Sequence, residues 1–383
     1  MVKISYTTIS ARADYPTVGL ETLHLWEPTL KTLAAQTFQD FEFIIVDVFY
    51  EERKDYFKEH NYGLKIKHIP AAPNIWTKYG LVQTCHQFNK GIVHADGELL
   101  FFDADSGMLH PELMANLWKH YKDGYFVSLG FGSDVTFASE LHERKLGNDG
   151  NYEYPKGQWQ GTSETNSTIV PIEWIKKLSY GYEGNIIMDH RYRKLFENQR
   201  FLNQAAKIPP DWYYGISTAS MEATLKVNGF NLCFSPDSAL SDVDLGNRLV
   251  IAGYDNLMMF RDSYCIEAYA GPYWHPNMRR IRPEVKCNNG LVLYNKHEGR
   301  YRANDPLSNA DIDYIIRNIC AQQCGVRDVC KTLPHRGPFF NKNESELVAY
   351  WKKYGMTEMT DLTEEREIRE SGAGYTEGTF VNV

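Results

Sequence analysis

The sequence has no long hydrophobic segment, because no run of about 18 apolar residues occurs among its 383 residues. A membrane-spanning helix needs roughly 20 such residues, so the sequence predicts no membrane insertion. Residues 1–10 have the pattern of a β-strand and lack the apolar core of a signal peptide. We therefore expect a cytoplasmic protein.

The sequence also lacks the cysteine pattern of a secreted protein. It has seven cysteines, an odd number, and these predict reduced thiols instead of a disulfide framework. Four of them lie in the C-terminal part, at Cys287, Cys320, Cys324 and Cys330. Four soft ligands would suit a tetrahedral Zn²⁺ site, although the spacing is not that of paired Cys-x₂-Cys hooks. Buried thiols without a ligand are the alternative.

Positive charge is scarce as well, since the formal net charge is −8. This balance disfavours a protein that binds nucleic acid by electrostatics alone. Lys and Arg nevertheless outnumber Asp and Glu between residues 275 and 340. That segment could face a phosphate-bearing substrate or complement the acidic remainder across an internal interface.

The hydrophobic pattern predicts alternating strands and helices. Residues 2–9, 41–46, 64–69 and 99–102 have the pattern of strands, and residues 20–35 and 79–93 that of helices. Pro28 would kink or restart the first helix. The order β-α-β-β-α-β predicts an α/β fold with a mostly parallel sheet flanked by helices.

The most informative stretch is the apolar run at residues 99–102, which ends at Asp103 and Asp105. Carboxylates at the carboxyl end of a buried parallel strand lie where such sheets bind their ligands. Two of them, one residue apart, can share a divalent cation and, through it, a nucleoside diphosphate. Asp-x-Asp alone is a weak signal, because it recurs at residues 242–244 and 311–313. The last of these resembles the acidic first turn of a helix.

Several motifs occur in an order that resembles a known family, the GT-A type nucleotide-sugar glycosyltransferases and glycosyltransferase family 2 in particular. The resemblance covers about residues 1–275. The matching motifs are Gln-Thr-Phe-Gln-Asp-Phe-Glu-Phe-Ile-Ile-Val-Asp at 36–47, Asn-Lys-Gly-Ile at 89–92, Ala-Asp-Gly-Glu at 95–98, Phe-Asp-Ala-Asp at 102–105, Glu-Ala-Thr-Leu-Lys-Val-Asn-Gly-Phe at 222–230, Ser-Asp-Val-Asp-Leu-Gly-Asn-Arg-Leu at 241–249 and Gly-Tyr at 253–254.

The resemblance implies a role for each matching residue. Asp105 and His275 would hold a divalent cation, Mn²⁺ or Mg²⁺, and Asp242 would be the catalytic base. Asp47 would contact the nucleotide base, although residues 48–50 depart from the family's Asp-Gly-Ser. The nucleotide-sugar site would be lined by Thr7, Asp47, Lys78, Asn89, Asp103 and Ala104.

Several of these residues have a structural alternative. Asp47 could close a turn after its strand, and His275 could be an ordinary loop histidine. Asn89 could belong to the C-terminus of a helix. Ser241 and Asp244 fit a helix capping box, which would make Asp244 a cap and not a catalyst.

The resemblance implies a metal-dependent, inverting glycosyltransferase that uses a nucleoside diphosphate sugar, most simply a UDP-sugar. We expect a GT-A domain at 1–275 with an acceptor-binding insertion at 130–215, a basic Cys-rich module at 276–340, and a short helix with a loosely packed acidic tail at 341–383. The segment at 130–215 could instead be a surface subdomain with no catalytic part. The acceptor would be a soluble glycan, a protein or a hydroxyl-bearing modified DNA base. The alternative is a nucleotide-sugar or glycan-binding protein with the same fold and no turnover.

Overall fold

The computed structural model describes residues 2–9, 23–47, 50–71, 84–103, 107–134, 186–188, 190–197, 204–213, 216–234, 240–267, 282–305, 309–314 and 361–371. The helices are α1 (Leu23–Ala34), α2 (Tyr50–Glu59), α3 (Thr84–His94), α4 (Leu113–Lys122), α5 (His190–Tyr192), α6 (Met221–Lys226), α7 (Ser241–Ile251), α8 (Arg282–Glu298), α9 (Asn309–Tyr314) and α10 (Leu362–Ser371). A π-helical turn at Arg193–Glu197 follows α5, and 3₁₀ turns occur at Pro210–Trp212 and Leu232–Phe234. In these ranges, no helix combines the length and the apolar character that a bilayer crossing requires.

The strands form one large sheet and two small ones. They are β1 (Ile4–Ile9), β2 (Phe41–Asp47), β3 (Ile66–Pro70), β4 (Leu99–Asp103), β5 (Gly107–Leu109), β6 (Phe126–Val127), β7 (Gly130–Asp134), β8 (Ile186–Met188), β9 (Ala205–Lys207), β10 (Ser217–Ser220), β11 (Leu257–Phe260) and β12 (Tyr264–Glu267). The large sheet has the order β10-β4-β1-β2-β3, and the small sheets have the orders β6-β11-β9 and β5-β12-β7-β8. In the large sheet only β10 is antiparallel to its neighbour. The predicted mostly parallel α/β fold is confirmed.

Both faces of the large sheet are covered by helices. Successive side chains of a strand point to opposite faces, so Tyr6, Phe43 and Phe101 lie on one face, where they pack with α1, α2 and α4. Ile44 and Phe102 lie on the other face and pack with α3, α6 and α7. Because both faces are buried, β2 and β4 have nearly continuous apolar runs and not alternating ones.

Two helices differ from the sequence predictions. Helix α1 continues through Pro28 as one element, so the chain does not restart there. Helix α2 was not predicted at all, because its sequence is strongly charged and Phe57 is its one deeply buried apolar side chain. The connection between β2 and β3 is therefore helical, and the order becomes β-α-β-α-β-α-β.

The expectation of a loosely packed tail is wrong for residues 361–371, which form the docked helix α10. Leu362 is fully buried in the core beside α3. Arg366 donates hydrogen bonds to the carbonyl oxygens of Ile92 and Ala95, and Arg369 donates to that of His94 at 2.8 Å. The last carbonyls of a helix have no partner within it, so these guanidinium groups cap the C-terminus of α3.

Helix α8 belongs to the segment predicted as a Cys-rich module, and it packs against the core of the large sheet. Leu291, Val292 and Tyr294 are buried in the same cluster as the residues of α3 and α7. Asn295 donates a hydrogen bond of 3.1 Å to Asp244 of α7. The domain boundary at residue 275 stays a prediction.

Candidate functional site

The large sheet has a topological switch point at the carboxyl end of β1. Strand β2 lies on one side of β1 and β4 on the other, and all three are parallel. The chain runs outward from β1 through β2 to β3 and then crosses back to β4 on the other side of β1. Such a reversal of strand order opens a crevice at this edge, which is where open α/β sheets bind ligands. Asp103 ends β4 opposite Thr8 of β1, and Asp47 ends β2. The two residues that the sequence singled out thus lie on the same edge, with their backbones about 12 Å apart across β1.

The side chain of Asp103 is fixed by a tyrosine of the neighbouring strand β1. Its side chain is fully buried and accepts a hydrogen bond from the hydroxyl group of Tyr6. The ring of Tyr6 stacks on Phe101, with centroids 4.5 Å apart, and contacts Phe43 at 4.9 Å. The position of this carboxylate is therefore fixed by the packed face of the sheet.

Asp47 is at the predicted edge, but its carboxylate is engaged by neighbours within the protein. Oδ1 lies 3.3 Å from Nη1 of Arg53, and Oδ2 lies 3.0 Å from Nε2 of His68. The side chains of Asp47 and Arg53 are almost completely buried. His68 is fixed in turn by the ring of Phe57, at a centroid distance of 4.6 Å. This arrangement fits the structural reading of Asp47, and its contact with a nucleotide base stays a prediction.

Helix α3 runs from the carboxyl edge of the sheet toward the amino edge. Gly91 approaches β1 so closely that a Cβ atom there would lie 2.2 Å from Cγ2 of Thr7. Gly97, just after the helix, would place its Cβ 2.5 Å from the backbone nitrogen of Ser5. The N-terminal turn of α3 therefore lies at the carboxyl edge, above the end of β1.

One side of α3 carries a buried row of basic side chains at intervals of four residues. Burial lowers the pKa of His86 to about 3 and the pKa of Lys90 to about 7, and the charge of Lys90 adds to the effect on His86. Burial and the charge of Lys90 likewise lower the pKa of His94 to about 3. Nζ of Lys90 donates a hydrogen bond to the carbonyl oxygen of Pro70, at the end of β3. At neutral pH both histidines are uncharged.

We expect the protein to lose stability in mild acid because of His86 and His94. Their ordinary pKa is about 6.5, so below that pH the unfolded chain binds protons that the folded chain does not bind until about pH 3. The free energy of unfolding should therefore fall as the pH decreases from 6.5, by about 2 kcal/mol for each histidine at pH 5.

Urea unfolding between pH 5 and pH 7.5 measures this effect. The variants His86→Gln and His94→Gln should each show a flatter dependence on pH. The exposed His60 provides the control, since His60→Gln should keep the dependence of the wild-type protein. Equal slopes for all four proteins would contradict the assignment.

Thr7 and Gln87 have buried polar side chains near the switch point. Both side chains are fully buried. Within the described ranges, neither Oγ1 of Thr7 nor either amide atom of Gln87 has a hydrogen-bond partner. Thr7 was predicted from the resemblance, whereas Gln87 was missed. A glutamine on an amphipathic helix resembles a surface residue, and no local signal marks it.

Both polar atoms of the Asn89 side chain are hydrogen-bonded to the backbone of Phe230, and its role in the nucleotide-sugar site stays a prediction. Its Nδ2 donates to the carbonyl oxygen of Phe230 at 2.8 Å, and its Oδ1 accepts from the Phe230 amide at 2.7 Å. A Cβ at Gly229 would come within 2.4 Å of Oδ1 of Asn89, and Gly229 has a φ of +65°. Asn89 therefore holds the turn at residues 228–230 against α3, which is a positioning role.

The two acidic residues of α7 have different environments. Asp242 is only partly buried, and its Oδ1 accepts a hydrogen bond of 2.8 Å from the amide of Val243. Asp244 is fully buried and lies 2.6 Å from Nε of Arg248. The residue before the helix is Leu240, with a φ of +65° and no side-chain cap. The predicted capping box is therefore wrong, and Asp244 is half of a buried ion pair.

The remaining predicted site residues cannot be placed. Lys78, Ala104, Asp105, His275, Cys320, Cys324 and Cys330 lie outside the described residues, and Cys287 lies on α8 without a described side chain. The described residues contain no group of three or more His, Cys, Asp or Glu that could hold a metal ion. The divalent-cation site and the Zn²⁺ site stay predictions.

No protein-family model matches the sequence, and no curated protein is significantly similar to it. The chain is similar in structure to the mannosyltransferase PcManGT from Pyrobaculum calidifontis in complex with GDP-Man and Mn²⁺, at 10% identity and a TM-score of 0.43, covering 98% of this chain and 81% of that one. It is also similar to residues 1–349 of S. aureus TarS, at 9% identity and a TM-score of 0.44, covering 98% of this chain and 93% of that one. The same TarS segment in complex with UDP-GlcNAc is similar at 9% identity and a TM-score of 0.42, with the same coverage of both chains.

Proposed function

We propose that the chain is a metal-dependent, inverting glycosyltransferase that moves a sugar from a nucleoside diphosphate, a UDP-sugar, to an acceptor hydroxyl. One observation carries the proposal. Asp103 ends β4 at the topological switch point, held there by Tyr6, and it begins the Asp-x-Asp motif that resembles the metal motif of GT-A enzymes. Such a motif at this edge suits a cation-bound diphosphate.

The proposed roles follow from the chemistry of each side chain. Asp105 and His275 would hold Mn²⁺ or Mg²⁺, with Asp103 beside them, and the bound cation would offset the negative charge of the departing diphosphate. Asp242 would accept the proton of the acceptor hydroxyl as that oxygen attacks the anomeric carbon from the face opposite the diphosphate. That attack inverts the configuration at the anomeric carbon.

The proposed acceptor is a soluble glycan, a protein or a modified DNA base with a free hydroxyl group. The DNA base is suggested by the basic segment at 275–340, in which aromatic residues are interleaved with charges. Tyr301 of this segment is exposed, whereas Tyr294 is buried and donates a hydrogen bond of 2.6 Å to Asp311. Of these two rings, only Tyr301 is accessible for stacking on a base.

A second candidate function is nucleotide-sugar or glycan binding without turnover. The departures from the family's pattern at residues 48–50 and at Ser241, where the family usually has Glu, suggest it, whereas the presence of both Asp105 and Asp242 argues against it. Release of the diphosphate separates the two candidates.

The direct test is incubation of the purified protein with UDP-sugars and GDP-mannose in the presence of Mn²⁺. Slow release of the diphosphate without acceptor is expected for an enzyme and not for a binding protein. Mass spectrometry of products from mixed glycan, protein and DNA acceptors then identifies the acceptor. Absence of release and of transfer with every donor would contradict the enzymatic proposal.

We expect Asp105→Ala to abolish transfer and to weaken Mn²⁺-dependent binding of UDP, because the variant removes a charged ligand of the cation. Loss of an outer-shell partner of a metal ligand costs roughly tenfold to hundredfold in metal affinity. Loss of a direct ligand such as Asp105 should weaken the Mn²⁺-dependent binding of UDP by at least that factor. Calorimetric titration of UDP with and without Mn²⁺ measures it. The control is Asp40→Ala, at an exposed pair with Lys3 before β2. Full activity of Asp105→Ala, or of wild type in excess chelator, would contradict the metal mechanism.

A further inference from the structure

We propose that Gln87 reads the nucleobase of the donor, an inference that rests on the proposed function. Gln87 is fully buried on α3, and neither its Nε2 nor its Oε1 has a hydrogen-bond partner among the described residues. Burying a primary amide without partners costs folding free energy, since both groups lose their hydrogen bonds to water. A ligand that supplies an acceptor and a donor would remove that cost.

The packing of α3 on β1 places Gln87 at the switch point. Gly91 lies over Thr7, and Gln87 precedes Gly91 by one helical turn, about 6 Å toward the carboxyl edge. Two strand residues span nearly the same distance, so Gln87 lies over Ile9, the last residue of β1. The side chain therefore lies over the end of β1 at the carboxyl edge, on the face of the sheet opposite to the side chains of Asp47 and Asp103.

The hydrogen-bonding groups of an amide suit the base of a nucleoside diphosphate sugar better than its phosphates. Phosphate oxygens only accept hydrogen bonds, and a dianionic group would be costly to bury beside apolar side chains. A primary amide offers a donor and an acceptor side by side, which matches the N3–H and C4=O of a uracil ring through two hydrogen bonds.

The contacts of the Asp47 carboxylate also favour Gln87 as the residue that binds the base. Its carboxylate already contacts Arg53 at 3.3 Å and His68 at 3.0 Å. The buried carboxylate of Asp47 is thus already balanced by partners within the protein, whereas the amide of Gln87 has no hydrogen bond within the described residues. Oγ1 of Thr7 also has no hydrogen-bond partner among the described residues. It offers the ligand a further hydrogen bond on the same face of the sheet as Gln87.

The test compares Gln87→Met and Gln87→Leu with a matched buried glutamine. Gln36 is also buried, but its Nε2 donates to the carbonyl oxygens of Thr32 and His110, and its Oε1 accepts from the Met114 amide. Melting temperature and affinity are measured for wild type and each variant. The probes, each with Mn²⁺, are pyrophosphate, UDP, GDP, CDP, ADP and UDP methylated at N3 of uracil.

We expect both Gln87 variants to melt at or above the wild-type temperature, because they remove a buried amide without partners, whereas Gln36→Met should melt lower. UDP affinity should fall by about tenfold to a hundredfold in the Gln87 variants, with pyrophosphate affinity unchanged. Wild type should reject N3-methylated UDP, and the Gln87 variants should not distinguish it from UDP.

Three results would overturn the proposal. In the first, the Gln87 variants melt as low as Gln36→Met and bind UDP like wild type, so Gln87 is a packing residue. In the second, the variants keep the wild-type discrimination against N3-methylated UDP, so another group reads the base. In the third, wild type binds pyrophosphate and none of UDP, GDP, CDP or ADP any tighter, which also contradicts the proposed nucleotide donor. The first two results leave the proposed donor intact, and the third does not.

Discussion

Asp242→Asn should lower the rate of sugar transfer by about 10²-fold to 10⁴-fold and leave the binding of donor and Mn²⁺ nearly unchanged. Asn has nearly the same shape as Asp, but it cannot accept the proton of the attacking hydroxyl group. The partial exposure of Asp242 at the start of α7 allows an acceptor to reach it. The amide of Val243, 2.8 Å from Oδ1, fixes the carboxylate without burying it.

The comparison requires folded protein, so melting temperature and UDP affinity are measured beside the transfer rate. Asp255 is the control because its side chain is well exposed and pairs with Lys207 at 3.0 Å. Asp255→Asn should leave the rate and the melting temperature at wild-type values. If Asp242→Asn transfers sugar at the wild-type rate, the catalytic base must be a different residue.

The sheet could be predicted from sequence because its signal is local. Uninterrupted apolar runs that stop at a carboxylate specify β2 and β4, and their ends at Asp47 and Asp103 match the prediction. Parallel pairing then brings these ends to one edge whatever the rest of the chain does. For this reason the part of the site that consists of strand ends was foreseen.

What the sequence could not reveal depends on partners that are distant along the chain. Arg53 lies in a strongly charged helix, and its sequence context predicts a surface position. In the structure it is buried and pairs with Asp47. Arg366 and Arg369 lie in an acidic stretch, and their partners are the carbonyl groups that end α3, more than 270 residues earlier. Gln87 was missed for a different reason. It is identified by the hydrogen bonds that its side chain lacks within the described residues, and a sequence does not show such a lack.

Asp244 shows how a local pattern can mislead. Ser241 and Asp244 have the spacing of a capping box, and that spacing predicts an exposed Asp244 whose loss costs little. In the structure, Leu240 precedes the helix without capping it. Asp244 is buried instead, because Arg248 one turn later faces the same interior space. The expectation of a small effect at Asp244 is therefore replaced by a large one.

The pair formed by Asp244 and Arg248 joins three parts of the chain. Nη1 and Nη2 of Arg248 each donate a hydrogen bond of 2.8 Å, to the carbonyl oxygens of Val227 and Gly229. Asn295 of α8 donates to the other oxygen of Asp244 at 3.1 Å. Helix α7, the turn at residues 227–229 and helix α8 are thus held by one buried guanidinium and one buried carboxylate.

We expect Asp244→Ala to lower the free energy of unfolding by about 3–5 kcal/mol, because it leaves Arg248 buried without its counter-charge. Asp244→Asn keeps the shape, but its one acceptor oxygen can serve only one of the two donors, Nε of Arg248 or Nδ2 of Asn295, so it should also lower stability. The double variant Asp244→Leu/Arg248→Met removes both charges, so it should be more stable than Asp244→Ala. Urea unfolding measures all three, with Asp242→Asn as the partly exposed neighbour whose stability should remain near that of wild type. If Asp244→Ala lowers the free energy of unfolding by less than about 1 kcal/mol, the buried pair is not the main contribution of Asp244. Asp244 would then act only as a charge at the start of the helix, since a weakened helix start costs no more than that.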